Sequence, residues 1–285
     1  MHAILHILKH ALLDTLKLLP FLFITYLIME YIEHKTSEKV RHTIQKSGRF
    51  GPVIGGLLGI FPQCGFSVSA TNLYSARVIT LGTLLSIYLT TSDEMLPILL
   101  TEAVPTTTIL TILGIKLLIG MIAGFVIDTV IRLSQKEKVE EQKIEELCEH
   151  DHCHCEEGII KSALKHTVNI IIFIFIITFV INGIIELIGE DTIANFISNN
   201  AILGPAVAGI IGLVPNCASS VILTELFIEK VISMPMLISG VAVNAGVGLL
   251  VLFKTNKNLK ENLTIVGLLY FIGVLSGIIL QVILW

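Results

Sequence analysis

Charge is scarce in this chain. Asp, Glu, Lys and Arg make up 15% of its 285 residues, against 53% hydrophobic residues. Soluble domains carry about 25% charged residues. With a mean hydropathy of +0.84, the chain is expected to be an integral membrane protein rather than a soluble enzyme or binding module. The net charge of -4 says little by itself, because what matters is where the charges lie; no nucleic-acid partner is expected. No Gly-x-x-x-x-Gly-Lys-Ser/Thr run occurs, so an ATP-driven pump built on a phosphate-binding loop is not expected. The opening residues Met1–His10 lack a small-residue cleavage site and run straight into an apolar stretch, so no signal peptide is expected. Cysteine is sparse: three of five lie in one polar segment and two in apolar stretches. This pattern favours thiols over a disulfide framework.

Long apolar runs are what the chain has. Ala11–Glu33, Thr107–Val130, His166–Ile188 and Leu263–Trp285 are long enough to span a bilayer simply. Between them lie four apolar stretches with interruptions. Phe50–Tyr74 is broken at Pro62-Gln63-Cys64-Gly65, and Val78–Leu100 at Thr90-Thr91-Ser92-Asp93-Glu94. Leu203–Phe227 is broken at Pro215-Asn216-Cys217, and Val231–Phe253 at Asn244-Ala245-Gly246. Proline removes a helical hydrogen bond. Backbone freed at membrane depth must be buried in protein or face a water-filled cavity, so the breaks are expected to meet in the interior.

The breaks are paired by an internal repeat at an offset of 153 residues. Gly51-Pro52 aligns with Gly204-Pro205, Pro62 with Pro215, Cys64 with Cys217, and Ser67-Val68 with Ser220-Val221; from Gly51 to Ser86, 14 of 36 positions are identical without a gap. Loop charges give the two copies opposite orientations. Loop His34–Phe50 carries Lys35, Lys39, Arg41, Lys46 and Arg49, while its partner Gly189–Leu203 carries no Lys or Arg. Loop Lys254–Asn262 carries three lysines and its partner Thr101–Thr106 none. Positive loops stay cytoplasmic, so equivalent loops face opposite sides and the repeat is inverted. Arg77 agrees with this assignment and Lys230 opposes it. The fold class expected is an all-α integral membrane protein of two inverted-topology repeats. Each has a full span, a re-entrant hairpin, a broken span and a last full span: five helical segments per half, ten in all. Both termini lie outside. Repeat A covers residues 1–133, a cytoplasmic linker 134–165, and repeat B 166–285.

The linker is the only long polar segment, with Gln135–Glu149 expected as a solvated helix. It holds Cys148, His150, His152, Cys153, His154 and Cys155 among carboxylates, a concentrated set of soft and borderline ligands in no standard zinc-finger spacing. It is either an accessory metal-capturing segment or a plain solvated linker.

Candidate site residues cluster at the breaks. Cys64 and Cys217, each behind Pro-Gln or Pro-Asn, offer thiolates to soft metals and metalloids beside the amides of Gln63 and Asn216; the bland alternative is a tight hairpin tip that needs a small residue. Asp93 and Glu94 interrupt an apolar stretch, where each carboxylate costs about 2.5 kcal/mol or more on insertion scales and marks an ion or proton path, unless the pair sits at a membrane surface. Thr91 and the equivalent Asn244 supply neutral oxygens. Glu33 and Glu186 match but fall at span ends, where an interfacial role fits better. Glu225 is open between cavity and interface. Asp128 is expected to pair with Arg132.

Together, Phe61-Pro62-Gln63-Cys64-Gly65-Phe66-Ser67, Val214-Pro215-Asn216-Cys217-Ala218-Ser219-Ser220, the Thr91-Ser92-Asp93-Glu94 break, Asn244-Ala245-Gly246 and the His/Cys-rich linker resemble the bacterial ten-span heavy-metal exporters, described as arsenic efflux proteins or manganese transporters. More distantly they resemble the organoarsenical permeases. The resemblance spans nearly the whole chain and implies metal or metalloid export across a bacterial inner membrane. The reading that follows is a secondary transporter working by alternating access, with Cys64, Cys217, Asp93 and Glu94 as metal ligands. No permanently bound cofactor is expected. Expected partners are the bilayer, the transported ion and protons as coupling ion, with a homodimer left open. The rival readings are an organic-anion carrier and an intramembrane enzyme.

Overall fold

The computed structural model describes residues 12, 16, 19, 20, 23, 24, 27, 50–61, 64–92, 94–134, 159–188 and 203–283. Among these the chain is helical, with no strand. Among the described residues eleven helices have defined bounds: α1 Gly51–Gly59, α2 Cys64–Ser75, α3 Leu81–Thr90, α4 Met95–Thr101, α5 Thr106–Ser134, α6 Ile159–Ile188, α7 Gly204–Gly212, α8 Cys217–Ile228, α9 Met234–Val243, α10 Gly248–Thr255 and α11 Leu259–Ile283. Among the described residues, three stretches are long and apolar enough to cross a membrane: Thr106–Leu133, Met234–Thr255 and Leu259–Ile283. Their burial separates centre from periphery. The apolar window of Met234–Thr255 is 89% buried, against 33% and 28% for the other two. The broken α9–α10 span is therefore an inner element, as is α3 with Gly82 to Thr90 all buried, while α5 and α11 present exposed Leu118, Ile122, Phe271 and Leu275 outward.

The starts of α7, α8, α9, α10 and α11 each lie 153 residues after those of α1, α2, α3, α4 and α5. Local chemistry recurs at the same offset. Pro52 and Pro205 occupy the first turns of α1 and α7, where a missing N–H costs nothing. Thr80 and Ser233 start α3 and α9 with the same backbone angles, φ -79 and ψ 161. Arg77 (φ 58) and Lys230 (φ 61) stand in the left-handed region just past α2 and α8, where Val78 N reaches back to Leu73 O at 2.8 Å and Val231 N to Leu226 O at 2.9 Å. This is a Schellman-type stop, made with long basic residues instead of glycine.

The packing recurs as well. Ser86 Oγ donates to Pro52 O at 2.7 Å, and Ser239 Oγ donates to Pro205 O at 2.6 Å. Glycines let the backbones approach. A Cβ on Gly124 would lie 2.6 Å from the Gly82 carbonyl and 2.8 Å from Pro52 Cβ; one on Gly277 would lie 2.6 Å from Ser239 Cβ and 3.0 Å from Pro205 Cβ. Gly51 faces Thr83 and Gly59 faces Thr90, so α1 runs parallel to α3. Gly120 meets Thr90 and Gly124 meets Gly82, so α5 runs antiparallel to both. α1 therefore enters beside the start of α3 and stops beside its end. α2 then returns to the starting level, where the turn after it leads into α3.

The two parts interlock. α2 packs on α10, α8 on α4, and α3 against α9. One apolar cluster joins Met95, Leu99 and Ile112 to Leu223, Leu237 and Val241; another joins Leu84 and Tyr88 to Val243, Leu249 and Leu269.

Candidate functional site

The interior is organised by the two broken spans. Thr90-Thr91-Ser92 stops α3 because hydroxyls bond backwards to the helix: Thr91 Oγ1 donates to Ile87 O at 2.7 Å, and Thr90 Oγ1 to Ser86 O at 2.8 Å. Such bonds compete with continued helix. All three residues are buried. Asn244 stops α9 by a local turn, its Oδ1 accepting from Gly246 N at 2.7 Å. Gly246 has φ 54, a conformation that glycine adopts without penalty. Each break leaves the last carbonyls of one short helix without their intrahelical donors. Those ends carry partial negative charge.

In each part the break is tied to the end of the preceding hairpin. Ser92 Oγ donates to Ile60 O at 2.6 Å, just past α1. In the second part, Asn244 Nδ2 donates to Ser219 Oγ at 3.0 Å, and Ser219 Oγ donates to Asn216 O at 2.8 Å. Asn216, extended at φ -148 and ψ 153, precedes α8, and Cys217 opens it; Asn216 and Cys217 are buried, and the Cys217 thiol is free of any disulfide. The structure thus brings Asn216, Cys217 and Asn244 into one buried locus. Thr91 is buried at the end of α3, and Glu94, half-buried, precedes α4. Cys64 is the first residue of α2; its side chain, Gln63, Asp93, and the linker residues Cys148, His150, His152, Cys153, His154 and Cys155 lie outside the described residues, as do the Gln135–Glu149 helix, Glu33 and the side chain of Glu186. Among the described residues, no three His, Cys, Asp or Glu side chains converge as a metal centre.

The residue that sequence reasoning passed over is Lys116. It sits in the middle of α5 and is fully buried. Its Nζ donates to the Thr91 carbonyl and, at 3.3 Å, to the Val241 carbonyl of α9, so it bridges the ends of the two half-helices from different parts of the chain. Insertion scales set a lysine at a helix centre at about 2.5–3.5 kcal/mol unfavourable. The signal was present as a single lysine inside Thr107–Val130. A second buried polar group joins the parts: the Tyr88 hydroxyl lies 2.5 Å from Thr71 Oγ1 and 3.3 Å from Gly248 O at the start of α10.

Two further polar positions can be placed. Asp128 spends its carboxylate on the start of α3, accepting from Thr80 Oγ1 at 2.7 Å and Gly82 N at 2.9 Å, where the helix N-terminus favours an anion. The expected partner Arg132 acts on it through charge, without a hydrogen bond. Glu225 is exposed, whereas its counterpart Asn72 is buried, so these two positions do not play equivalent parts.

A helical membrane protein with polar breaks gathered in its interior is the architecture of a carrier, not of a soluble catalyst. The chain belongs to a family of heavy-metal exporters: a family model described as "Putative, 10TM heavy-metal exporter" matches residues 5–194. That match covers the first part, the linker and the first span of the second part. No curated protein and no solved structure matches the chain. Membership supports metal efflux as the class of function and argues against an enzyme.

Proposed function

We propose that this chain is a secondary transporter of the bacterial inner membrane that exports a metal or metalloid ion by alternating access. Its two inverted-topology repeats, residues 1–133 and 166–285, would be joined by a cytoplasmic linker over 134–165. The observation that carries the reading is the recurrence of helix starts and of the Ser86–Pro52 and Ser239–Pro205 bonds at one offset, with short helices ending at matching interior breaks. Matching interrupted segments in two halves point to a central transport site. Gln63, Cys64, Thr91, Asp93 and Glu94 from the first repeat, with Asn216, Cys217 and Asn244 from the second, would form it. Carboxylates, amides and hydroxyls suit a hard divalent ion such as Mn2+; the two thiols suit arsenite or a softer metal. Asp93 or Glu94 would carry the coupling proton. The linker cysteines and histidines would gather metal at the cytoplasmic mouth without forming the pathway.

Purified chain in liposomes, offered Mn2+, Zn2+, Cd2+, arsenite and a dicarboxylate, tests this. Flux of one metal or metalloid, lost by at least tenfold in Asp93→Asn or Glu94→Gln, is expected. Dicarboxylate flux alone would establish the organic-anion reading.

A further inference from the structure

Lys116 has no packing reason to be a lysine. Its counterpart 153 residues on is Leu269 in α11, which is also fully buried and sits in an apolar cluster beside Leu249 and Ile265. The same place in the fold is filled by a hydrocarbon side chain in one part and by an ammonium in the other. What distinguishes Lys116 is where its Nζ rests: on the Thr91 carbonyl at the end of α3 and, at 3.3 Å, on the Val241 carbonyl in the last turn of α9. Both carbonyls lie at the negative ends of half-helices, and they come from the two different parts of the chain, whose relative movement the transport reading proposes. Thr90, Thr91, Ser92 and Asn244 are all buried on the same two elements. A buried place where two carbonyls already hold one cation is suited to another. An ammonium and a metal ion cannot occupy it together.

We propose that the Thr91 and Val241 carbonyls form a cation position shared in turn by Lys116 and the transported cation, with Lys116 as a tethered placeholder that fills it when cargo is absent. This rests on the transport reading above. The placeholder joins the two broken spans across the interface, so the empty carrier can pass between its conformations without an uncompensated set of buried carbonyls. Cargo displaces the ammonium and takes over the same oxygens.

The test separates exchange from net transport. Full-length wild type, Lys116→Met and Lys116→Gln are reconstituted, and Mn2+ is followed in two modes: exchange, with Mn2+ on both sides, and net flux into Mn2+-free vesicles. Exchange needs only the loaded carrier to move, whereas net flux also needs the empty carrier to return. The placeholder predicts that both variants keep exchange within about threefold of wild type, lose net flux by more than tenfold, and bind Mn2+ more tightly because an internal competitor is gone. The linker ligands are the same in all three proteins, so the difference reads Lys116. Exchange and net flux falling in proportion, or Mn2+ binding that weakens, would overturn the proposal and leave Lys116 as a structural bridge; Lys116→Gln keeps a neutral donor, which guards against loss of folding in Lys116→Met. Wild type that moves none of the metal probes in either mode would instead overturn the transport reading, and this inference with it.

Discussion

The two ends of the interface between the parts are built differently, although they derive from equivalent positions. At one end, Arg77 holds Glu261 with two bonds, Nη1 to Oε1 at 2.6 Å and Nη2 to Oε2 at 2.8 Å. The Tyr74 hydroxyl donates to the same carboxylate, and Ser75 Oγ lies 2.8 Å from Thr255 Oγ1. The guanidinium also sits 5.2 Å from the centre of the Tyr74 ring. At the other end the residues 153 positions away are Lys230 for Arg77, Thr108 for Glu261, Phe227 for Tyr74, Ile228 for Ser75 and Glu102 for Thr255. There, Val104, Pro105, Thr108, Phe227, Lys230 and Met236 line a cavity of about 650 Å³. The backbone repeats, down to the left-handed Arg77 and Lys230; the polar fastening does not. On the proposed alternating-access reading, a backbone built twice would make two end states accessible, and side chains that differ between the copies would decide which end is held shut. In the proposed orientation the fastened end is cytoplasmic.

Supplying the missing carboxylate should have the largest effect. Thr108→Glu places an acid at the position that mirrors Glu261, within the cavity that Lys230 also lines. If the fastening holds one end closed, fastening both should cut liposome flux by at least tenfold while the protein still elutes as a folded species in detergent. Undiminished flux would mean that the two ends do not have to open in turn.

Removing the existing fastening comes next. Glu261→Gln and Arg77→Met should each lower stability by about 1–3 kcal/mol, between the values for exposed and fully buried pairs, because each side chain of this pair is still 16–19% exposed. The exchanged pair Arg77→Glu with Glu261→Arg should recover part of that loss in a double-mutant cycle read by thermal unfolding. Additive losses would remove the coupling between the two parts at this end.

The last pair of effects should be the most alike. Gly124→Ala and Gly277→Ala place a methyl against Pro52 and Pro205 at matching contacts, and overpacking of this kind costs roughly 1–3 kcal/mol. Their thermal shifts should agree within about 1 kcal/mol. A large difference would show that the periphery is as asymmetric as the two ends.

Much of this arrangement was legible before any coordinates. The breaks expected at Thr90–Glu94, Pro215–Cys217 and Asn244–Gly246 fall between α3 and α4, α7 and α8, and α9 and α10, because proline, glycine and clustered hydroxyl or amide residues act locally on the backbone. The offset was readable for the same reason, since glycine and proline are held by close backbone approach. Local patterns do not report pairing between residues far apart in the chain. Arg77 and Glu261 are 184 positions apart, and nothing in either neighbourhood names the other. Lys116 was hidden differently: one lysine does not spoil the apolar average of a long span, so the stretch read as a simple crossing. The expectation of ten helical segments counted each broken span once, whereas in the fold each is two short helices with their own ends, and those ends are where the interior carbonyls come from.

The central claim is that positions 153 residues apart lie on opposite sides of the membrane. Thr107 and Lys260 form such a pair; both are exposed, in the first turns of α5 and α11. With the five native cysteines replaced by serine, Thr107→Cys and Lys260→Cys are each offered a membrane-impermeant maleimide in intact cells and in inside-out vesicles. The inverted arrangement predicts that Thr107→Cys labels only in intact cells and Lys260→Cys only in inside-out vesicles; labelling of both from the same side would contradict it.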